Sequence, residues 1–378
     1  MHRRSPTQSR VVPFLDLSRT NRSLQDIILA GLAEVFERGD FIDGADITAF
    51  EREFAAYCGS SFCVGTASGI DALRLALLAG GIEPGDEVIV PAATFVATLE
   101  AVTQAGGVPV VVDVSEADLN LDPGGIEDAV TSRTRFVLPV HLYGQLSDMR
   151  EIGSLATRRA LHVVEDAAQG HGAERDGLRA GGSGQAAAFS FYPGKNLGAA
   201  GDAGALTTDD ESVAETARAL RQHGQRYKYV HEREGYTARL DTLQAVVLLR
   251  KLPLLDSWNQ QRRQVAAMYL EALDGVGDLR LPPIPPGSAP VFHLFVVRTG
   301  NPVALAEFLG RRGIQTGRHY PTPVHLTPAY AHLGYAGGAF PVAEALSREC
   351  LSIPIFPGIK ESELAQVVEA IEEYFANG

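Results

Sequence analysis

A few short stretches carry residue types that could do covalent chemistry. Phe189-Ser190-Phe191-Tyr192-Pro193-Gly194-Lys195-Asn196-Leu197-Gly198 sets one lysine in an otherwise apolar, small-residue segment. With few solvated neighbours the charged form of Lys195 is disfavoured, and its amine becomes a nucleophile towards a carbonyl. Glu165-Asp166-Ala167-Ala168-Gln169 puts two carboxylates and an amide at the end of an apolar run. Cys63-Val64-Gly65-Thr66-Ala67-Ser68-Gly69 is a small-residue turn, and its N–H groups with the dipole of a following helix suit an anion. Each has a plainer reading alone: a loop lysine beside a turn, and an ordinary strand-to-helix turn with Ser68 as N-cap.

The elements around these stretches must bring them together. Runs 87–90, 108–112, 136–140, 161–169 and 186–191 read as short buried strands, and 24–37, 47–57 and 70–79 have helical spacing. The alternation predicts an α/β fold with a mostly parallel sheet, in which functional groups gather beyond the carboxyl ends of the strands. Asp166, Gln169, the 65–69 turn and Lys195 all fall at such ends, and this shared placement outweighs any single motif. Residues 240–252 and 256–273 read as helices joined at Pro253. Pro282-Pro283-Ile284-Pro285-Pro286 reads as a stiff linker to a second unit, with strands 291–297 and 351–355 and helices 302–311 and 361–375. Two domains are expected, at 1–250 and 251–378. The polar, aromatic segment 218–235 is either a solvated arm or a projection carrying cations to a partner subunit's phosphate-rich site.

Composition excludes several classes of function. A chain of 378 residues with 45% hydrophobic content and 39 glycines suits a compact enzyme with many tight turns. The formal charge of −13 argues against nucleic acid or anionic membrane as partner. Cys58, Cys63 and Cys350 are too few and wrongly spaced for a metal site or a disulfide framework, so reduced thiols and a cytoplasmic location are expected. Residues 1–10 are basic without a following apolar region, reading as a frayed terminus rather than a secretory signal. No stretch nears the roughly 20 apolar residues of a membrane span. No GxGxxG follows a strand and no GxxxxGK[ST] occurs. Gly181-Gly182-Ser183-Gly184 reads as a flexible connector rather than a phosphate cradle.

A lysine for a carbonyl, a carboxylate for a ring nitrogen, a phosphate cup and a flat side chain are what pyridoxal 5'-phosphate requires. Lys195, Asp166, the 65–69 turn with Ser190, and Phe95 supply them. The chain resembles the sugar aminotransferases of the DegT/DnrJ/StrS group. The resemblance runs through Gly65-Thr66-Ala67-Ser68-Gly69-Ile70-Asp71-Ala72-Leu73, Pro91-Ala92-Ala93-Thr94-Phe95-Val96-Ala97-Thr98 and Glu165-Asp166-Ala167-Ala168-Gln169-Gly170-His171-Gly172-Ala173. It continues through the Lys195 segment, Arg221-Gln222-His223-Gly224, Arg239-Leu240-Asp241-Thr242-Leu243-Gln244-Ala245 and His319-Tyr320-Pro321-Thr322-Pro323-Val324-His325-Leu326. The ordered set covers nearly the whole chain.

This resemblance implies a fold-type I pyridoxal phosphate-dependent transferase: a large domain with a mostly parallel, seven-stranded sheet plus a smaller C-terminal α/β domain. It implies that Lys195 carries the cofactor and moves a proton, and that Asp166 pairs with the ring nitrogen. Glu165, one residue earlier, faces the other side of the strand. Phe95 is expected to stack on the ring and Gln169 to lie by its phenolic oxygen. Thr66, Ala67 through its backbone, Ser68 and Ser190 are expected around the phosphate. Thr237 stands where the family usually has an asparagine that reaches the partner subunit's cofactor. Tyr192, His223, Arg239, His319, Tyr320 and His325 fall in segments expected to contact substrate; without the resemblance, 319–326 reads as a Pro-rich surface loop. The implied activity, in deoxyaminosugar biosynthesis, moves an amino group from L-glutamate to a keto-sugar on a nucleotide diphosphate. A homodimer with shared active sites would carry it out. Segment 319–326 leans this towards a 3-keto sugar, and a lysine rather than a histidine at 195 favours transamination over deoxygenation. The alternatives are a keto-cyclitol aminotransferase and a non-catalytic, pyridoxal phosphate-binding regulator.

Overall fold

The apolar runs become neighbouring strands in a computed structural model that describes residues 11–377. They are β1 (Phe62–Thr66), β2 (Glu87–Pro91), β3 (Val108–Val112), β4 (Thr134–Val137), β5 (His162–Asp166), β6 (Ala186–Ser190) and β7 (Gly204–Thr208). Their order across the sheet is β1-β7-β6-β5-β4-β2-β3, and only β7 runs against its neighbours. The seven-stranded, mostly parallel sheet expected from the sequence is therefore present. Both faces are covered, as parallel sheets require. Val164, Ala186, Ala188 and Leu206 belong to one core, while Val163, Ala187, Phe189 and Ala205 belong to the other. That period of two sends Glu165 and Asp166 to opposite faces.

The helices before and between these strands are α1 (Gln25–Arg38), α2 (Ala45–Cys58), α3 (Gly69–Ala79), α4 (Ala97–Gln104), α5 (Pro123–Ala129), α6 (Met149–Arg159) and α7 (Glu211–Arg221). α1 and α2 end at Gly39 and Gly59, whose φ values of 72° and 75° are left-handed, the conformation that closes a helix. Then α8 (Thr242–Lys251) and α9 (Leu255–Ala272) lead to a second unit. It contains α10 (Pro302–Arg311), α11 (Pro341–Glu349), α12 (Glu361–Ala376) and the antiparallel pair β8 (Phe295–Arg298) and β9 (Cys350–Ile353). Its own core joins Tyr269, Phe295, Leu305, Leu351, Ile353 and Val367.

Several boundaries differ from the sequence reading for local reasons. The run 136–140 leaves the ladder after Val137, because Pro139 has no N–H to donate; Val140 returns only as a single bridge to Asp166. The run 291–297 is a strand only from Phe295, since Phe292 adopts a left-handed φ of 43°. The N-terminal segment adds no strand to the large sheet, although Phe14 packs against the core on one of its faces. Val12 lies in the core of the second unit, where its N–H meets Gly313 O at 2.9 Å and its carbonyl accepts from Gln315 N at 3.0 Å. Residues 1–10, read above as a frayed terminus, lie outside the described residues. Among those described, no helix is long and apolar enough to cross a membrane, and Cys58, Cys63 and Cys350 are free and buried.

Under β6, Phe54 meets Phe189 edge-on at 4.9 Å and Phe191 edge-on at 5.1 Å, and stacks on Phe50 at 5.5 Å. Phe189 and Phe191 flank Ser190, so this cluster supports the floor of the sheet's functional edge. Phe54→Ala is expected to cost about 3–5 kcal/mol in denaturant unfolding, the range for emptying a buried aromatic site.

Candidate active site

The carboxyl ends of β1, β2, β4, β5 and β6 share one edge with the start of β7, and Asp166 is the last residue of β5. Its backbone is tied on the β4 side: Asp166 N donates to Pro139 O at 2.8 Å and His141 N donates to Asp166 O at 3.0 Å. The side chain is 5% exposed. Thr98 Oγ1 donates to Oδ2 at 2.8 Å and Ala168 N to Oδ1 at 3.2 Å. Burial pushes the carboxyl above its ordinary range, opposed by the Thr98 hydroxyl, the Ala168 N–H and the Lys195 ammonium. A cation set against this group would offset the burial and keep it ionised.

Glu165 does different work on the opposite face. Its carboxylate meets His141 Nε2 at 2.8 Å and accepts from the N–H groups of Gly181 at 3.1 Å, Ser183 at 2.8 Å and Gly184 at 2.8 Å. Burial opposes the charge, but His141 and these N–H groups win and hold the carboxyl below its ordinary value. Segment 181–184 is thus pinned to β5 and is not the flexible connector its glycines suggested.

Lys195 follows a turn in which its N–H donates to Tyr192 O at 2.8 Å. Three residues on, a Cβ at Gly198 would lie 2.3 Å from Pro193 O, so the loop closes only with glycine there. The buried Lys251 ammonium donates to Gly198 O at 2.7 Å and fixes the far side of the loop. Lys195 is half-buried, and its amine is pushed down to about 8 by burial, with Asp166 pulling the other way. Both groups line one cavity of about 440 Å³.

The 65–69 turn supplies donors, though not all those expected. Thr66 is buried and its hydroxyl donates to Ser68 O at 2.9 Å, while Ala67 N donates to Ala238 O at 3.1 Å. In this structure both groups hold the turn. Ser68 caps α3, accepting from Asp71 N at 3.2 Å and donating to Asp71 Oδ2 at 3.0 Å. Its hydroxyl proton is therefore spent, although the residue lines the cavity. The free donors are the Gly69 and Ile70 N–H groups, which find no acceptor among the described residues. Ser190 Oγ, which accepts from Tyr192 N at 3.3 Å, keeps its proton. A Cβ at Gly69 would sit 2.6 Å from Ser190 Cβ, so glycine is what lets α3 and β6 converge here. Two helix N-terminal amides and a hydroxyl fit a phosphate ester.

An aromatic wall closes the cavity: Phe14 stacks on His319 at 5.6 Å, His319 meets Tyr320 edge-on at 5.6 Å, and Tyr320 lies 5.3 Å from Phe95. Phe95 is 51% exposed and Tyr192 59%, both lining the cavity and free to lie along a flat ring. Gln169 Oε1 accepts from Tyr143 N at 2.7 Å, which fixes the amide so that Nε2 donates to Tyr320 OH at 3.2 Å. His319 is held by Ser352 Oγ at 2.8 Å from Nδ1 and by a Tyr143 hydroxyl bond to its carbonyl.

His325 is a correction: it is 1% exposed, lies edge-on to Phe340 at 4.7 Å and meets Glu344 Oε1 at 3.2 Å, so it braces the 324–344 region instead of touching substrate. Thr237, His223 and Arg239 also lie outside this chain's cavity. Thr237 and His223 are exposed and meet at 3.3 Å, and Arg239 pairs through its backbone with Thr66. The sequence reading missed Phe14, Leu15, Arg262 and His293, all of which line the cavity. The apolar run 11–15 was a usable signal for the first two; nothing local marked the others.

A model of the DegT/DnrJ/EryC1/StrS aminotransferase family matches residues 23–372. The chain belongs to that family. It is 48% identical over 363 residues to the dTDP-3-amino-3,4,6-trideoxy-alpha-D-glucose transaminase of Streptomyces venezuelae, covering 96% of each protein. The crystal structure of S. venezuelae DesV in complex with a ketimine intermediate superposes with a TM-score of 0.94 at 48% identity, over 96% of this chain and 98% of that one. The structure of NtdA from Bacillus subtilis with bound cofactor PMP does so at 0.89 and 34% identity, over 99% and 87%.

For this aminotransferase the balance between burial and Asp166 is measurable at Lys195. In cofactor-free protein carrying ¹³C-methylated lysines, the signal lost in Lys195→Ala should titrate near pH 8. Asp166→Asn should move that midpoint lower still, since it removes the charge that favours the ammonium. An upward shift contradicts the pairing.

Proposed function

We propose that this aminotransferase uses pyridoxal phosphate to move an amino group from L-glutamate to the ketone of a nucleotide-diphosphate-linked deoxysugar, at C3. The observation that carries this reading is the placement of the Lys195 amine and the Asp166 carboxylate on one cavity at the sheet's carboxyl edge. Bound there, the cofactor supplies an aldehyde that exchanges with an amino group and a ring that accepts electrons. Gly69 N–H, Ile70 N–H and Ser190 Oγ would hold its phosphate, with Thr66, Ala67 and Ser68 shaping the turn behind them. Asp166 would hold the proton on the ring nitrogen, the second N–H of Gln169 Nε2 would be left for the ring oxygen, and Phe95 would cover the face.

Lys195 Nζ holds the cofactor at rest. When freed from it, this amine would be placed to take the donor's Cα proton and to return a proton to the sugar carbon. An amine lowered to about 8 keeps roughly a tenth of its population unprotonated at neutral pH, far more than an ordinary lysine does, which suits that exchange. Tyr192, His319 and Tyr320 border the substrate. The lining is largely apolar, with Phe14, Leu15, Ile70 and Leu294, which suits a deoxygenated sugar. A 3-amino-3,4,6-trideoxy sugar named in the S. venezuelae relative supports the position of amination.

The active unit is a homodimer in the cytoplasm, with domains divided near residue 250. Exposed Ile27, Leu29, Phe36, Phe41 and Ile42, on and beside α1, support pairing with a second copy. His223, Thr237 and Arg239, open to solvent away from this chain's cavity, would then reach the partner's site, Thr237 with a shorter donor than asparagine. Free buried cysteines suit a reducing compartment.

Lys195→Ala should form a folded dimer with turnover reduced by at least about 10³-fold, a loss expected for the nucleophile. Shared sites are tested by mixing Lys195→Ala with Arg239→Ala subunits. Re-equilibrated mixtures should regain about a quarter of wild-type activity, since half the dimers then carry one intact site. No recovery contradicts a shared site.

A further inference from the structure

Beside Lys195, a chain of hydrogen bonds fixes the protonation of a histidine that no motif marked. Asn259 Nδ2 donates to His171 O at 2.8 Å, and a carbonyl can only accept, so the Asn259 amide has one allowed orientation. Its Oδ1 then accepts from Asn196 Nδ2 at 2.8 Å. The same Asn196 nitrogen donates to Val291 O at 3.1 Å, a second carbonyl that independently fixes the orientation. Asn196 therefore presents Oδ1 to His293 Nδ1, 3.3 Å away. An oxygen facing that nitrogen requires the hydrogen to sit on Nδ1. The backbone is held as well: Arg262 Nη1 donates to the carbonyls of Phe292 at 3.1 Å, His293 at 3.3 Å and Ile355 at 3.0 Å.

With Nδ1 carrying the hydrogen, Nε2 of a neutral ring carries a lone pair. Burial and the nearby cations Lys195 and Arg262 push His293 well below its ordinary value, so it stays neutral. Among the described residues Nε2 has no hydrogen-bond partner, is not one of the fully buried unpartnered atoms, and belongs to a residue lining the cavity with Lys195. A fixed lone pair opening on a mostly apolar cavity is a recognition element. Its neighbours Lys195 and Arg262 disfavour an incoming ammonium but not a neutral hydroxyl.

We propose that His293 Nε2 is the hydrogen-bond acceptor that reads a hydroxyl of the keto-sugar, making His293 a specificity-determining residue. This rests on the sugar-aminating activity proposed above. Asn196 and Asn259 are positioning residues, acting through the ring.

The test uses holoenzyme and His293→Phe, which keeps a ring and removes the acceptor. His293→Gln, whose side-chain oxygen can still accept, guards against effects of shape. Each is assayed in two halves: loss of cofactor absorbance with L-glutamate, and single-turnover amination of a panel of 3-keto nucleotide sugars lacking one hydroxyl at a time. In wild type, deletion of one particular hydroxyl should cost about tenfold or more, the scale for leaving a buried polar group unpaired. In His293→Phe that same deletion should cost less than about twofold, with the glutamate half unchanged, and His293→Gln should retain the dependence. Equal loss in both halves, or no hydroxyl whose deletion couples to His293, overturns the proposal while leaving the activity standing. A wild-type enzyme that aminates none of these sugars overturns the substrate class and this inference together.

Discussion

A carboxyl group 5% exposed at the end of a strand is held in place by the ladder it terminates, and the site is arranged around the cost of keeping it there. Burial pushes the Asp166 carboxyl above its ordinary range and so disfavours its charged form. Against that stand the Thr98 hydroxyl at 2.8 Å, itself 2.7 Å from Thr94, the Ala168 N–H, and the Lys195 ammonium. Taking a charge out of water costs several kcal/mol unless partners compensate. Here the partners belong to three different segments, the start of α4, the turn after β5 and the loop after β6, so the compensation exists only when these are assembled.

The adjacent carboxylate solves a different problem with the same chemistry. Because β5 alternates its faces, Glu165 cannot reach the cavity, and its charge is spent on His141 and on backbone N–H groups of segment 181–184. That pins the approach to β6, which ends in Ser190 and leads to Lys195. Close backbone contacts then set the spacing: Gly69 against Ser190, Gly204 against Ser68 O, and Gly198 against Pro193 O. At each of these a single Cβ would force apart backbone segments that border the cavity.

Much of this was legible in the sequence, since strand ends, Lys195, Asp166 and the glycine-rich turn are local signals with a physical meaning. The alternation of strands and helices gave the sheet, and the sheet gave the edge. What could not be read was the use of individual donors. Thr66 and Ala67 carry the right groups in the right turn, yet those groups are consumed by Ser68 O and Ala238 O, one of them 171 residues away in a chain whose pairing only folding decides. His325 shares a motif with His319, but a buried Glu344 contact and Phe340 claim it. Phe14 and His293 reach the cavity through long-range packing, with no spacing rule to announce them.

One lysine of this chain, Lys195, is proposed to form a covalent bond to the cofactor. Cofactor-replete protein reduced with borohydride, digested and weighed tests it directly. The phosphopyridoxyl mass should appear on the peptide containing Lys195 and not on that containing Lys251, a buried lysine whose amine is likewise pushed down to about 8. Label at Lys251 alone, or on neither peptide, contradicts this account.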